Sequence, residues 1–241
     1  MKKRLGILVP VYNEKENIGE TIESIEREVK TPHKIYILYD FPEDNTLPVA
    51  RISQLKGIDL DFVRNSTAGV SNALKTGFKE AEEEYLMVTM ADGSDDYTVV
   101  DHMCQLLEQG YDLVCGSRYM KGGRQVGGPL FKKVLSRFAG VSLRYLARLP
   151  VHDVTNSFKI YRRSMLGSIP IESCDGFEIG MEITLKAHFS GFRVTEVPCH
   201  WYGRKKGKSR FRLFHLGPKY LNWYIFALRK RPRGKRNKRT P

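Results

Sequence analysis

Acidic residues are missing from the end of this 241-residue chain: none follows Glu196, while 15 Lys and Arg stand between Arg204 and the terminus. Residues 1–196 carry 25 basic and 27 acidic residues, so the net charge of +13 belongs to one segment. That confinement argues against a body built to hold nucleic acid and leaves an anionic partner to the end alone. Long apolar runs are missing too, since nothing approaches the ~18–20 residues of a membrane span. The opening MKKRLGILVPVY has a short apolar run that meets Asn13 and Glu14, with no small-residue cleavage site. It reads as a first β-strand and not as a secretory leader, and a cytoplasmic protein is expected. The four cysteines, Cys104, Cys115, Cys174 and Cys199, show no metal-binding or redox spacing and are expected to be small apolar residues or reduced thiols. Internal repeats and long linkers are absent.

What is present is an alternation of two periodicities. Leu5–Pro10, Lys34–Asp40, Asp59–Val63, Tyr85–Thr89 and Asp112–Cys115 read as strands. Between them, Glu14–Val29 (with Asn13 as N-cap), Leu47–Leu55, Val70–Ala81 and Val99–Glu108 read as helices with apolar stripes at three- and four-residue spacing. Such βαβ order predicts an open, mostly parallel sheet covered by helices. In the second half, GSRYMKGGRQVGGP reads as a basic, glycine-rich loop. Phe131–Leu149 reads as a helix with Val134, Leu135, Phe138, Val141, Leu143 and Leu146 on its apolar side. A strand at the end of VHDVTNSFKIY, a helix at Gly176–Phe189 and a strand at Phe192–Val197 follow. The basic loop WYGRKKGKSR then leads to an aromatic-rich helix and a basic tail.

The stretch YLMVTMADGSDD, residues 85–96, drives a buried strand straight into Asp92, Asp95 and Asp96. In open α/β sheets, the carboxyl ends of the strands are where ligands bind. Oxygen ligands there suit Mg²⁺ or Mn²⁺ carrying phosphates. The plainer alternative is a solvated loop whose aspartates cap the next helix.

Several separated motifs together resemble the family 2 inverting glycosyltransferases of GT-A fold, and among them the dolichol-phosphate mannosyltransferase-like, or polyprenyl-phosphate glycosyltransferase, group. They include VPVYNEKENI, YDFPEDNT, the Asp92 stretch, GSRY, SRFA, DVTNSFKIY, GFEIGMEI and EVPCHWYGRKKGKS. The resemblance covers roughly residues 5–210. It implies an α/β nucleotide-diphospho-sugar transferase fold, with residues 1–210 as catalytic domain and 211–241 as an amphipathic aromatic helix and basic tail. Pro10, Tyr12, Glu14, Asp40 and Asp92 would line the nucleotide. Asp92 and Ser94 would hold Mg²⁺ or Mn²⁺, with Met90 standing where the family has a first acid. Arg118 and Arg137 would act on an acceptor phosphate, joined in acceptor binding by Arg124, Ser136, Asp153 and Ser209.

The resemblance thus implies transfer of a hexose, from a GDP-mannose or UDP-glucose type donor, to a polyprenyl or dolichyl phosphate with inversion. A phosphate acceptor needs no base, whereas an alcohol acceptor would look to Glu178, Glu182 or Asp153. Arginine suits an acceptor phosphate through its planar fork. Tyr220, Trp223, Tyr224, Phe226 and Leu228 ahead of the polybasic tail predict peripheral contact with an anionic membrane surface. The alternatives are a relative that binds nucleotide sugar with another acceptor (polysaccharide or protein) or without turnover, and a basic nucleic-acid-binding protein. The last has no recognisable reading module in the body, so no nucleic-acid partner is expected.

Overall fold

The computed structural model describes residues 4–174, 176–204, 206–207 and 213–230. Its strands are β1 (Leu5–Pro10), β2 (His33–Tyr39), β3 (Leu60–Arg64), β4 (Tyr85–Val88), β5 (Leu113–Ser117), β6 (Arg124–Val126), β7 (Lys159–Arg162), β8 (Val194–Pro198) and β9 (His200–Tyr202). Helices α1 (Ile18–Glu28), α2 (Thr46–Leu55), α3 (Val70–Glu80) and α4 (Val100–Glu108) alternate with the first five strands. Helices α5 (Leu130–Leu146), α6 (Arg163–Ser168), α7 (Ile179–Phe189) and α8 (Leu213–Lys230) belong to the second half.

Seven strands form one sheet in the order β3-β2-β1-β4-β7-β5-β8. All neighbours pair in parallel except β7, which runs antiparallel between β4 and β5. The carboxyl ends of β1, β2, β4 and β5 therefore share one edge, and the candidate site lies there. Alternate side chains of β1 feed two cores, as a two-residue period requires. Leu5, Ile7 and Val9 pack with Ile18, Ile22 and Ile25 of α1 and with α4, while Leu8 packs with Ala73 and Leu74 of α3. The second core also takes in α5, α7 and Ala227 of α8.

Three expectations change here. Asn13 is not the N-cap of a helix starting at Glu14. It adopts a left-handed φ of 55°, its N–H donates to Asp44, and α1 begins at Ile18. The apolar stripe of α5 is not core along its length, because among the described residues its N-terminal half touches the body through polar side chains only. Leu143 is buried, whereas Leu130, Phe131, Val134, Leu135 and Phe138 are exposed. Gly140 lets the C-terminal half approach closely, since a Cβ there would lie 2.2 Å from the His152 carbonyl oxygen. Finally, residues 124–126 and 200–202 form a two-stranded parallel ribbon, β6–β9, where the sequence reads as loop. Gly123 makes the tight return onto β5, with its Cβ position 2.3 Å from the Ser117 carbonyl oxygen.

Candidate active site

The loop leaving β4 separates its three aspartates by function. Asp95 is 8% exposed and accepts from Thr89 Oγ1 (2.8 Å) and the Met90 N–H (3.2 Å). Asp96 caps the turn at 97–99 and accepts the His200 N–H at 3.0 Å, which ties the ribbon to the loop. Both bonds to Asp95 fall on its Oδ2 and the side chain is buried, so the less buried Asp92 is the candidate ligand. Its Oδ1 accepts the Ser94 N–H at 3.2 Å, and its Oδ2 lies 3.4 Å from Arg204 Nε. Ser94 is buried, yet its Oγ has no hydrogen-bond partner among the described residues. An orphaned buried oxygen beside a carboxylate is the donor set a hard divalent cation takes, with water completing the shell. The residues present therefore fit Mg²⁺ or Mn²⁺. No cage of three or more His, Cys, Asp or Glu forms among the described residues, which agrees with Met90 in place of a second acid.

Burial, and then the charge of Asp92, push the Asp95 carboxyl from 3.8 up to about 6. A raised carboxyl stabilises the fold fully below its unfolded value and loses that contribution as pH rises through the folded one. In EDTA, the unfolding free energy of the wild type relative to Asp95→Asn should therefore fall by roughly 2 kcal/mol between pH 4 and pH 7. Urea titrations at several pH values measure it; a flat difference would mean Asp95 is charged throughout.

At the ends of β1 and β2, Pro10 is buried and Tyr12 is half exposed, its ring edge-on to Phe41 with centroids 5.3 Å apart. Asp40 accepts from Asn65 Nδ2 (2.9 Å) and the Gly69 N–H (3.0 Å), so it shapes the turn into α3 from the site's edge. Glu14 is gripped by Arg204 through two parallel bonds of 2.7 and 2.9 Å and also accepts from Asn17 Nδ2 at 2.8 Å. The ribbon carries Arg204 to this place, because the Gly203 N–H donates to the Val126 carbonyl at 2.7 Å. Pro10, Glu14, Asp40 and Asp92 thus come together along one edge.

The other predicted residues divide. Asp153 is fully buried and accepts from Arg118 Nε (2.7 Å), Arg118 Nη2 (3.0 Å), the Arg118 N–H (3.1 Å), Thr155 Oγ1 (3.0 Å) and the Asn156 N–H (3.2 Å). Burial alone would push its carboxyl up, but the Arg118 charge and bonds outweigh that and hold it below its ordinary value. Asp153, expected in acceptor binding, has both oxygens taken by protein donors. Arg118, expected free for a phosphate, has a fork neutralised by Asp153. Arg124 and Arg137 are exposed, and neither forms an ion pair among the described residues. Ser136 Oγ bonds Tyr119 OH, which also reaches Gln125 at 3.2 Å. Ser209 and the tail at 231–241 lie outside the described residues.

Of the acidic helix, Glu182 is fully buried and accepts the N–H groups of Glu172 (2.6 Å) and Ser173 (2.8 Å) and the Lys186 ammonium (2.7 Å). Glu178 is 2% exposed, and its Oε2 has no partner among the described residues. Its neighbours Phe177, Ile179 and Gly180 line a small cleft with Met90 and Ser157. Sequence reasoning missed Arg204, which meets Glu14 across 190 positions. It also missed Lys159, a buried cation whose ammonium donates to the Val154 and Asn156 carbonyls. The only hint of Arg204 was its place in a basic loop.

Residues 6–169 match the family described as glycosyl transferase family 2. The chain is 30% identical over 215 residues to a polyprenol monophosphomannose synthase of Mycolicibacterium smegmatis, covering 86% of this chain and 81% of that protein. It is 28% identical to a dolichol-phosphate mannosyltransferase of Pyrococcus furiosus, spanning 59% of that protein's length. Among solved structures it resembles glucosyl-3-phosphoglycerate synthase from Mycobacterium tuberculosis, with a TM-score of 0.69 at 16% identity over 94% of this chain and 80% of that one. The expected α/β GT-A fold is thereby shown.

The narrower expectation is corrected. Solved structures sharing the fold over 94% of the chain belong to a synthase of glucosyl-3-phosphoglycerate, whose complexes hold a soluble phosphoglycerate and not a polyprenyl phosphate. The fold does not tie the chain to the polyprenyl-phosphate group, and Arg118, one of the two arginines that the resemblance gives to the lipid phosphate, is bound to Asp153. Placement in that group, transfer to a polyprenyl or dolichyl phosphate, and that lipid as partner are withdrawn. Among the described residues no helix is long and apolar enough to cross a membrane.

Proposed function

The chain belongs to glycosyl transferase family 2, and from that premise we propose that it is a metal-dependent glycosyltransferase moving a hexose from a UDP-sugar to a small phosphorylated acceptor. The observation that carries the acceptor class is charge. Between Asp112 and Asp153 stand eight Lys and Arg and no carboxylate. That segment leaves β5 at the carboxyl edge and carries the exposed Arg124 on the ribbon that is bonded to the Asp92 loop, and the exposed Arg137 on α5. Unpaired arginines at a sheet edge suit a phosphate dianion. The structurally similar synthase has been captured with Mn²⁺, UDP-glucose and phosphoglyceric acid or glycerol 3-phosphate, chemistry that this charge distribution would also accept.

Asp92 and Ser94 would hold Mg²⁺ or Mn²⁺. A divalent ion bound there supplies Lewis-acid neutralisation of the diphosphate leaving group. The chain's residues do the rest. Arg124 and Arg137 orient the acceptor through its phosphate, leaving a hydroxyl as nucleophile. That hydroxyl oxygen bonds to the anomeric carbon as the bond to the diphosphate oxygen breaks, and its proton needs a base. Asp153 and Glu182 are filled by protein donors, so Glu178, with its unpartnered oxygen, takes the proton. Glu178→Gln is expected to lower kcat by about 10²- to 10⁴-fold while leaving UDP affinity unchanged. A kcat within a few-fold of wild type would remove Glu178 from the reaction.

The reaction itself is tested with UDP-[¹⁴C]glucose and Mn²⁺ against 3-phosphoglycerate, glycerol 3-phosphate, glycerate and glycerol. Label should appear on the phosphorylated acceptors and be at least tenfold lower on the others. Equal labelling of glycerol and glycerol 3-phosphate would contradict the phosphate reading.

A further inference from the structure

We infer that Arg204 occupies the metal's carboxylate before the donor arrives, and surrenders it only as nucleotide binds, so that metal and nucleotide enter as a coupled pair. The inference rests on the reading above that Asp92 is the metal's carboxylate. Of the three acids of its loop, Asp96 is held through both oxygens by Thr98 and His200, Asp95 is buried with Oδ2 held by Thr89 and Met90, and Asp92 is the less buried one, with its Oδ2 turned away from the loop. That oxygen faces Arg204 Nε at 3.4 Å, while both Nη atoms hold Glu14. The three side chains are 18%, 14% and 11% exposed, which strengthens their interaction over that of a surface pair. One guanidinium between two carboxylates leaves a net charge of −1. A divalent cation entering alone would therefore meet a cation already in place, and only one strong ligand.

A nucleoside diphosphate reverses the balance. Its oxygens offer Arg204 the bidentate geometry that a guanidinium fork matches, which releases Asp92. Arg204 already reaches both carboxylates from one position, through its Nη atoms and its Nε. Its segment is pinned on one side by the Gly203 N–H to Val126 and on the other by Asn17 Nδ2 to the Lys206 carbonyl at 3.4 Å. Binding free energies couple reciprocally, so metal must tighten nucleotide by the factor with which nucleotide tightens metal.

Mn²⁺ binding to the full chain, followed by the EPR signal of free Mn²⁺ with and without UDP, tests this without any turnover. For the wild type, UDP should tighten Mn²⁺ about tenfold or more. Arg204→Gln should bind Mn²⁺ alone about tenfold tighter than wild type and lose most of the coupling. Glu14→Gln should do the opposite to metal alone, because the freed fork leans further onto Asp92. If Arg204→Gln and Glu14→Gln both keep wild-type affinity and coupling while Asp92→Asn abolishes Mn²⁺ binding, the handover is wrong and the metal site stands. If Asp92→Asn binds Mn²⁺ as wild type does, the metal site itself is wrong, and the inference falls with it.

Discussion

Replacing Asp92 by Asn should lower sugar transfer by about 10³-fold or more and leave the urea midpoint within the scatter of wild type. The size follows from what the carboxylate does. Departure of a nucleoside diphosphate develops negative charge that must be met by positive charge fixed in place, and removing one such stabilising group costs on the order of 10²- to 10³-fold. Here the second acid of the usual pair is missing, because Met90 stands two positions before Asp92, and Asp95 is buried with its Oδ2 held by Thr89 and Met90. The fold should not suffer, since Asp92 makes one backbone bond and one long contact to Arg204. A steady-state assay beside a urea titration reads both. Turnover within tenfold of wild type would show that the diphosphate is neutralised elsewhere.

The second large effect is on stability. Asp153→Ala should cost about 3–5 kcal/mol, the amount expected when one partner of a buried ion pair is removed. Arg118 would keep its buried fork without a counter-charge, and the ammonium of Lys159, fully buried and bonded to the Val154 and Asn156 carbonyls, would lose its nearby anion. Removing both ends of the pair should recover part of the loss, because Arg118→Met with Asp153→Leu leaves no unpaired charge at position 118, while Lys159 still lacks its anion. Urea unfolding of the single and double variants measures it. A single variant no more than 1 kcal/mol below wild type would mean that water reaches Arg118 after the change.

Much of the fold is legible because local and global signals agree. The runs LGILVP and YLMV can be central strands because both faces of the sheet are covered, and the stripe of Ala73, Leu74 and Gly77 can only be the inner face of a helix. The antiparallel insertion of β7 is not legible. Pairing order is set by tertiary contact, and KIYR opens with a buried lysine that argues against a core strand by composition. The exposed stripe of α5 shows the converse, since a helical period reports a face but not what covers it.

The site was legible where a residue acts through its place on a strand. Asp92, Asp40 and Glu14 stand at strand ends, and a sheet edge is visible in the alternation of elements. It was illegible where the role is decided by a partner far along the chain. Arg118 and Asp153 both carry the residue types of an acceptor site, and only their 35-residue-distant pairing reveals that they hold each other. Arg204 reads as one cation among many in a basic loop until the ribbon brings it onto Glu14. Glu178 and Glu182 share one helix and one spacing, and differ because segment 172–173 supplies donors to the second alone.

One measurement bears most directly on the central claim of metal-assisted sugar transfer at Asp92. The initial rate of label transfer from UDP-[¹⁴C]glucose to 3-phosphoglycerate would be followed while Mn²⁺ is added to the metal-stripped protein and then removed with EDTA. The rate should rise from background to a plateau with Mn²⁺, return to background with EDTA, and stay at background throughout for Asp92→Asn. Transfer that persists at full rate in EDTA, or that Asp92→Asn performs as well as wild type, would contradict it.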